Sequence, residues 1–275
     1  MLKGINQWCF PEGTSLEHMF DVCGKAGIES VELNVSESDP VGLTMQSTAE
    51  DARAIKQSAD RKGIKLTSLS TGLLGKYQLS SADEATRAQG RKVVEQQIRL
   101  ASALGADTIL VVPGRVNEVT SYDECYERSQ RELRALLPLA EASGVCIAIE
   151  NVWNKFLLSP LEFARYIDEL DSPAIGAYFD VGNVLQFGYP EQWIRILGQR
   201  IRRVHVKDFR VSVGYYDGFV PLLSGDVNWT EVRSTLREIG YDNAVSAELS
   251  AYKTDPDQSI YDISSQLEVI LGRKP

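Results

Sequence analysis

Short apolar segments alternate with longer amphipathic segments along the whole chain. The short segments are bounded by glycine, proline or polar residues, which is typical of buried strands, and the longer ones repeat apolar positions at helical spacing. The pattern predicts eight strands, at residues 4–8, 30–34, 64–70, 108–112, 145–150, 175–180, 202–207 and 245–249. Between them it predicts helices near residues 15–26, 47–62, 82–104, 122–143, 190–197, 229–239 and 259–271, and another that opens at Ser159-Pro160.

Strict alternation of strand and helix is typical of βα units and a parallel sheet. We therefore expect one (β/α)₈ TIM barrel that forms a single domain over residues 1–275. The alternative is an open doubly wound sheet. It has little support, because no GxGxxG phosphate-binding sequence follows the first strand.

Four strands of the second half end on residues that can bind a metal. They read VCIAIEN, AIGAYFDVGN, IRRVHVKD and AVSAELS, and the residues in question are Glu150, Asp180, His205 and Glu248. Active sites of closed parallel barrels lie at the C-terminal ends of the strands. These four side chains are therefore expected to converge there.

The alternation of side chains along a strand supports this arrangement. It puts Ala148 on the same face as Glu150, and it puts Lys207 on the same face as His205. Three carboxylates and one imidazole suit a divalent ion, with Mn²⁺ as the first expectation and Mg²⁺, Co²⁺ or Zn²⁺ as alternatives. A buried acid at the end of one strand is usually structural, but four such groups on successive strands favour a metal site.

Composition and charge narrow the functional classes. The chain has 43% hydrophobic and 24% charged residues, which is typical of a globular protein. Its net charge of −9 argues against binding to a nucleic-acid backbone. No signal-peptide segment or membrane-spanning apolar run is predicted. The four cysteines are far apart and are expected to be reduced thiols in a cytoplasmic protein.

A divalent ion at such a site can hold a carbonyl oxygen and a neighbouring hydroxyl of a sugar, and can polarise the carbonyl. The proton on the adjacent carbon is then easier to remove, and an enediolate is stabilised. Two carboxylates that flank the sugar could take a proton from one face and return one to the other.

The chain resembles the sugar-phosphate isomerase/epimerase superfamily, the xylose-isomerase-like barrels, over essentially its whole length. The motifs AIENVWN, YFDVGN, RVHVKDF and SAEL carry the resemblance. It is most similar to ketose 3-epimerases and L-ribulose 5-phosphate 3-epimerases. The resemblance implies that Glu150, Asp180, His205 and Glu248 bind the metal, and that Glu150 and Glu248 also transfer protons.

The sequence departs from some of these relatives. Many have a histidine three residues after the aspartate, where this chain has Asn183, a residue often found in the sugar-phosphate branch. The DNA-repair endonucleases of the superfamily need many histidines for a three-zinc cluster. This chain has two histidines, so we reject the nuclease interpretation.

Further residues are candidates for contacts with the substrate. Lys207 could bind hydroxyls or phosphate, or could pair with an acid such as Asp208 or Glu150. Trp8 and Trp153 could be apolar walls or core residues. The remaining candidates are Asn183, which could also orient the ligands, Arg210, which could bind phosphate, and Glu32, which is either a polar pocket wall or part of a structural ion pair.

The sequence therefore predicts a metal-dependent epimerase that inverts a carbon next to the carbonyl of a ketose or ketose phosphate. Aldose–ketose isomerisation, and dehydration or lysis of inosose or 3-oxo-sugar substrates, use the same chemistry and stay open. A barrel that only binds sugar is the non-enzymatic alternative. The resemblance also implies a homo-oligomer, and the loop at 208–228 is a candidate lid.

Overall fold

In a computed structural model that describes residues 1–273, the eight predicted strands form a closed barrel of parallel strands. Each strand pairs with its neighbours in chain order, and the first strand closes the ring by pairing with both the second and the last. The predicted TIM barrel is therefore confirmed. The strands are β1 Leu2–Asn6, β2 Ser30–Ser36, β3 Lys65–Ser70, β4 Thr108–Val111, β5 Cys146–Glu150, β6 Ile175–Asp180, β7 Ile201–Val206 and β8 Ala244–Ala247.

Helices surround the barrel and connect successive strands. Each predicted helix is present, and one short helix, α6, is additional. No helix within residues 1–273 is long and apolar enough to cross a membrane. The helices are α1 Leu16–Ala26, α2 Ala49–Arg61, α3 Glu84–Leu104, α4 Tyr122–Ser143, α5 Pro160–Asp168, α6 Val181–Leu185, α7 Pro190–Leu197, α8 Trp229–Glu238 and α9 Pro256–Leu271.

Several boundaries differ from the prediction because polar side chains cap the elements. β1 ends at Asn6 rather than at Trp8, since the Asn6 side chain accepts a hydrogen bond from the Trp8 amide and starts a 3₁₀ turn. α2 begins after Thr48, which forms a capping box with Asp51. α9 begins at Pro256, three residues early, after the cap Asp255.

The two faces of the strands separate as the period-2 pattern predicts. Ile147, Ile149 and Phe179 point outward into the core that the helices cover. Leu110, Ala148 and Tyr178 form a smaller apolar cluster on the barrel axis. The axis is therefore packed, and the cavity for a ligand lies above it at the C-terminal ends of the strands.

Three basic side chains from β7 and the residue that follows it face the barrel interior. Arg203 lies lowest, where it donates to the Thr67 carbonyl and to Asp107. His205 lies above it, and Lys207 follows at the mouth. Each base has an acidic partner from another strand or loop, so a nearby carboxylate balances each positive charge of this column.

Gly182, in α6 directly after Asp180, is a point of close approach to β7. A Cβ atom there would lie 2.5 Å from the Lys207 carbonyl oxygen. We expect Gly182→Ala to lower the free energy of unfolding by about 1–3 kcal/mol, because an overpacked site forces the backbone to shift. Denaturant unfolding would measure the loss. Gly72→Ala is the matched control, since nothing lies within 4 Å of its added Cβ, and an equal loss in both variants would contradict the prediction.

Candidate active site

The structure brings Glu150, Asp180, His205 and Glu248 together at the C-terminal mouth of the barrel. Glu150 and Asp180 are the last residues of β5 and β6, His205 is the penultimate residue of β7, and Glu248 directly follows β8. One ligand atom from each lies within 4.8 Å of the others. A divalent ion with bonds of about 2.0–2.3 Å holds opposite ligand atoms roughly 4–4.6 Å apart, so the four groups are spaced for one ion.

One buried atom of this group, His205 Nδ1, has no hydrogen-bond partner within residues 1–273. His205 Nδ1 lies 3.4 Å from a Glu150 oxygen and 3.7 Å from a Glu248 oxygen. Buried polar atoms are almost always satisfied. An unsatisfied imidazole nitrogen that faces the oxygens of two other candidate ligands fits a metal site, and the donor set of three carboxylates and one imidazole suits an ion such as Mn²⁺.

The electrostatics of the site also favour a cation. Burial raises the pKa of the Glu150 carboxyl to about 7, and burial likewise raises the pKa of Asp180. Burial acts in the same direction on Glu248, but the Lys207 ammonium and His205 hold its pKa below the usual value. Carboxyl groups therefore crowd a space from which water is largely excluded, and a divalent ion would compensate their charge.

Glu32 lies beneath the candidate ligands and not at the cavity wall. It is fully buried, and its carboxylate accepts hydrogen bonds from Asn6, Ser68 and Tyr178. Its Oε1 lies 2.7 Å from His205 Nε2. Although burial alone would raise the pKa of Glu32, His205 and the hydroxyl donors hold it below the usual value. The ionised carboxylate accepts a hydrogen bond from Nε2–H and so leaves Nδ1 to face the other candidate ligands.

We expect Glu32→Gln to weaken Mn²⁺ binding by about 10- to 100-fold, since loss of a carboxylate that orients a histidine ligand has effects of this size. Competition with a fluorescent chelator would measure the affinity. The control is Tyr178→Phe, which removes one donor to Glu32 but keeps the carboxylate–histidine contact. Unchanged affinity in Glu32→Gln, with the fold intact, would contradict this positioning role.

Two asparagines hold the ends of β5 and β6 together. Asn151 donates to the Asp180 carbonyl and accepts from the Asp180 amide, both at 2.8 Å. Asn183 donates from its side chain to the Asn151 carbonyl at 3.0 Å, and its backbone amide donates to Asp180 Oδ1 at 2.7 Å. Asp180 thus also caps α6. The asparagine that replaces the histidine of many relatives orients the backbone around two candidate ligands.

Lys207 pairs with different acids from those expected. Its Nζ lies 3.1 Å from Asp180 Oδ2 and also contacts Glu248. The expected partner Asp208 instead accepts from the Val227 amide and from the Trp229 indole, so it anchors the following loop. Lys207 therefore joins the candidate ligand group to the cavity above.

A cavity of about 740 Å³ opens directly above these residues. Of the predicted substrate contacts, Trp8, Trp153, Asn183 and Lys207 line it, together with Glu248. Arg210 does not line the cavity. Its guanidinium donates to the Ser224 carbonyl and so stabilises the loop after β7, residues 208–228, which we call the β7 loop. Residues that the sequence analysis missed also line the cavity, and they include Arg115, Tyr216, Phe219 and Tyr252.

The sequence carried a signal for some of the missed residues. Arg115 follows the Pro113-Gly114 end of β4, and Tyr252 follows Glu248 by four residues, so both lie just beyond strand ends. In a barrel, such positions face the ligand. Tyr216 and Phe219 belong to the β7 loop, where the short strands Asp208–Phe209 and Phe219–Val220 form an antiparallel pair.

The family model described as xylose isomerase-like TIM barrel matches residues 20–268 of the chain. The chain belongs to this family. The resemblance found in the strand-end motifs is thereby confirmed. Among xylose isomerase-like relatives, the L-ribulose-5-phosphate 3-epimerase UlaE of Escherichia coli SMS-3-5 is 25% identical over 247 residues, which cover 86% of this chain and 83% of the relative.

Solved structures of this barrel type superpose on nearly the whole chain. A structure of L-ribulose 3-epimerase has a TM-score of 0.81 at 19% identity, and covers 98% of this chain and 94% of its own. A D-psicose 3-epimerase crystallised in the presence of D-fructose has a TM-score of 0.80 at 18% identity, with 99% and 100% covered. Likeness at such low identity establishes the shared xylose isomerase-like fold.

Proposed function

We propose that the protein is a divalent-metal-dependent epimerase that inverts a carbon next to the carbonyl of a ketose or ketose phosphate. That the chain is an enzyme of the isomerase class is confirmed by relatives and structural neighbours that are named sugar epimerases. The observation that carries the finer proposal is the convergence of Glu150, Asp180, His205 and Glu248 beneath an accessible cavity.

In this proposal the four convergent residues hold one ion, with Mn²⁺ as the first expectation. When bound, the ion would supply Lewis acidity toward a carbonyl oxygen and a neighbouring hydroxyl. Glu150 and Glu248 come from the first and the last of the four adjacent strands that carry candidate ligands, on β5 and after β8. One carboxylate removes the proton from the carbon next to the carbonyl, and the other returns a proton to the opposite face.

The surrounding side chains would position the sugar and limit access of water. Lys207, already in contact with Glu248, is within reach of a hydroxyl of a sugar bound above it. Trp8 and Trp153 offer apolar surfaces to the carbon skeleton. Asn183 keeps Asp180 oriented through its amide. A cytoplasmic location and a homo-oligomeric state remain predictions of the sequence.

Deuterium incorporation tests the proposal. The Mn²⁺-loaded protein is incubated in D₂O with a panel of ketoses and ketose phosphates, and mass and product identity are determined. We expect deuterium at carbon 3 together with the 3-epimer. Exchange at carbon 1 with an aldose would replace the epimerase by an aldose–ketose isomerase.

Two other results would also overturn the epimerase proposal. Loss of water or of an aglycone from inosose or 3-oxo-sugar substrates would indicate a dehydratase or lyase. Binding of a sugar without exchange at any carbon would indicate a sugar-binding barrel.

A further inference from the structure

The cavity above the ligand group is larger than one ketose requires. Its volume of about 740 Å³ lies in the upper part of the roughly 300–1,000 Å³ that is typical of sites for drug-sized ligands. A five- or six-carbon sugar with its carbonyl at Glu150 and Glu248 would fill only the inner part. The outer part needs a separate explanation.

Aromatic side chains from separate loops line the cavity. Trp8 follows β1, Trp153 follows β5, and Tyr252 lies beyond β8. Tyr216 and Phe219 come from the β7 loop. Trp8, Tyr216 and Tyr252 are 43%, 56% and 38% exposed. Such rings bury apolar area only when a ligand covers them, so their exposure at a cavity mouth indicates a surface for binding.

Part of this surface is held in place before any ligand binds. The Trp153 indole donates to the Asn183 carbonyl at 2.8 Å. Phe219 and Tyr216 pack on Trp153 with centroid distances of 5.0 and 5.2 Å and interplanar angles of 34° and 43°. Because these tilted rings are already ordered, binding of a ligand costs little conformational entropy. Their faces suit the flat C–H face of a sugar ring.

The cavity wall carries few charged groups and is largely apolar. Two cations line it, and Lys207 is already paired with Asp180 and Glu248. Arg115 is then the one lining cation without an acidic partner within residues 1–273. The rest of the wall is largely apolar, and includes Leu74, Val112, Val152, Val220, Pro221, Leu249 and Ile263.

We propose that the outer cavity is a subsite for a second sugar ring, so that the substrate is a ketose that carries a glycosyl group at the end remote from its carbonyl. This proposal rests on the proposed epimerase function, because it places the ketose at Glu150 and Glu248. The glycosyl ring stacks on Tyr216, which packs on Trp153, while Trp153 itself borders the ketose.

Three probes that share a fructose unit test the subsite. D-fructose has a free carbon 6, D-fructose 6-phosphate carries an anion there, and isomaltulose carries a glucosyl ring there. Calorimetric titration of the Mn²⁺-loaded protein should give a Kd for isomaltulose at least tenfold lower than for either of the other two. Equal affinities, weaker binding of isomaltulose, or no binding of any probe would overturn the proposal.

Single substitutions test whether Tyr216 contributes to the binding of isomaltulose. Tyr216→Ala should raise the isomaltulose Kd about tenfold, whereas Tyr189→Ala, an equally exposed tyrosine outside the cavity lining, should not change it. Thermal unfolding verifies that both variants are folded. Tightest binding of fructose 6-phosphate, lost in Arg115→Ala, would establish an anion subsite instead and overturn the proposal.

The same probes keep this proposal separable from the epimerase function. Deuterium exchange into all three probes with equal affinities would leave the epimerase in place and overturn the subsite. Selective binding of isomaltulose with no exchange at any carbon would support the subsite and overturn the epimerase.

Discussion

Replacing either Glu150 or Glu248 by glutamine should lower turnover by at least about 10²- to 10⁴-fold, the range that a positioned general acid or base contributes. Glutamine keeps the shape of the side chain but cannot exchange a proton. In the proposed mechanism the two carboxylates act on opposite faces of the same carbon, so neither can replace the other. The measurement is steady-state turnover on the sugar that exchanges deuterium.

Both carboxylates are also candidate ligands, so turnover must be measured at saturating Mn²⁺. Recovery of wild-type turnover at high metal in either variant would restrict that residue to metal binding and contradict its proton-transfer role. Glu12→Gln, at an exposed position outside the cavity lining, is the matched control and should have wild-type activity.

Removal of the metal by a chelator should abolish turnover, and added Mn²⁺ should restore it. Removal of the metal should also lower the thermal unfolding temperature. A ligand that binds only the folded state stabilises that state by about 4 kcal/mol at a thousandfold excess over its Kd. Glu150, Asp180 and Glu248 are crowded together, and the ion would relieve their mutual repulsion.

The stabilisation by metal has its own control. Asp180→Asn should remove most of the rise in unfolding temperature on addition of Mn²⁺, since it replaces a candidate ligand. Asp171→Asn, at an exposed surface position, should retain the full rise. An equal rise in both variants would show that the ion stabilises the protein from another place.

The sequence predicted which candidate ligands converge because two simple rules suffice to place them. Alternation decides which residues of a strand face the axis, and the strand end decides that the side chain reaches the mouth. Both rules apply without knowledge of neighbours, so Glu150, Asp180 and His205 could be assigned from one strand each.

The depth of a residue in the barrel could not be predicted in the same way. By sequence Glu32 is a candidate wall of the pocket, yet it lies beside His205 beneath the mouth. Depth depends on the stagger between strands, which arises only when the barrel closes. Arg210 does not line the cavity for a related reason, because the short antiparallel pair in its loop directs its side chain toward Ser224.

The column of bases on β7 also determines how that strand can align with its neighbours. A shift by one residue would reverse its two faces. Val204 and Val206 would then point into the barrel interior, while Arg203, His205 and Lys207 would point into the apolar layer beneath the helices. Each unpaired buried charge costs several kcal/mol. Only one alignment is therefore tolerable, and the step that closes the barrel is also the step that assembles its reactive centre.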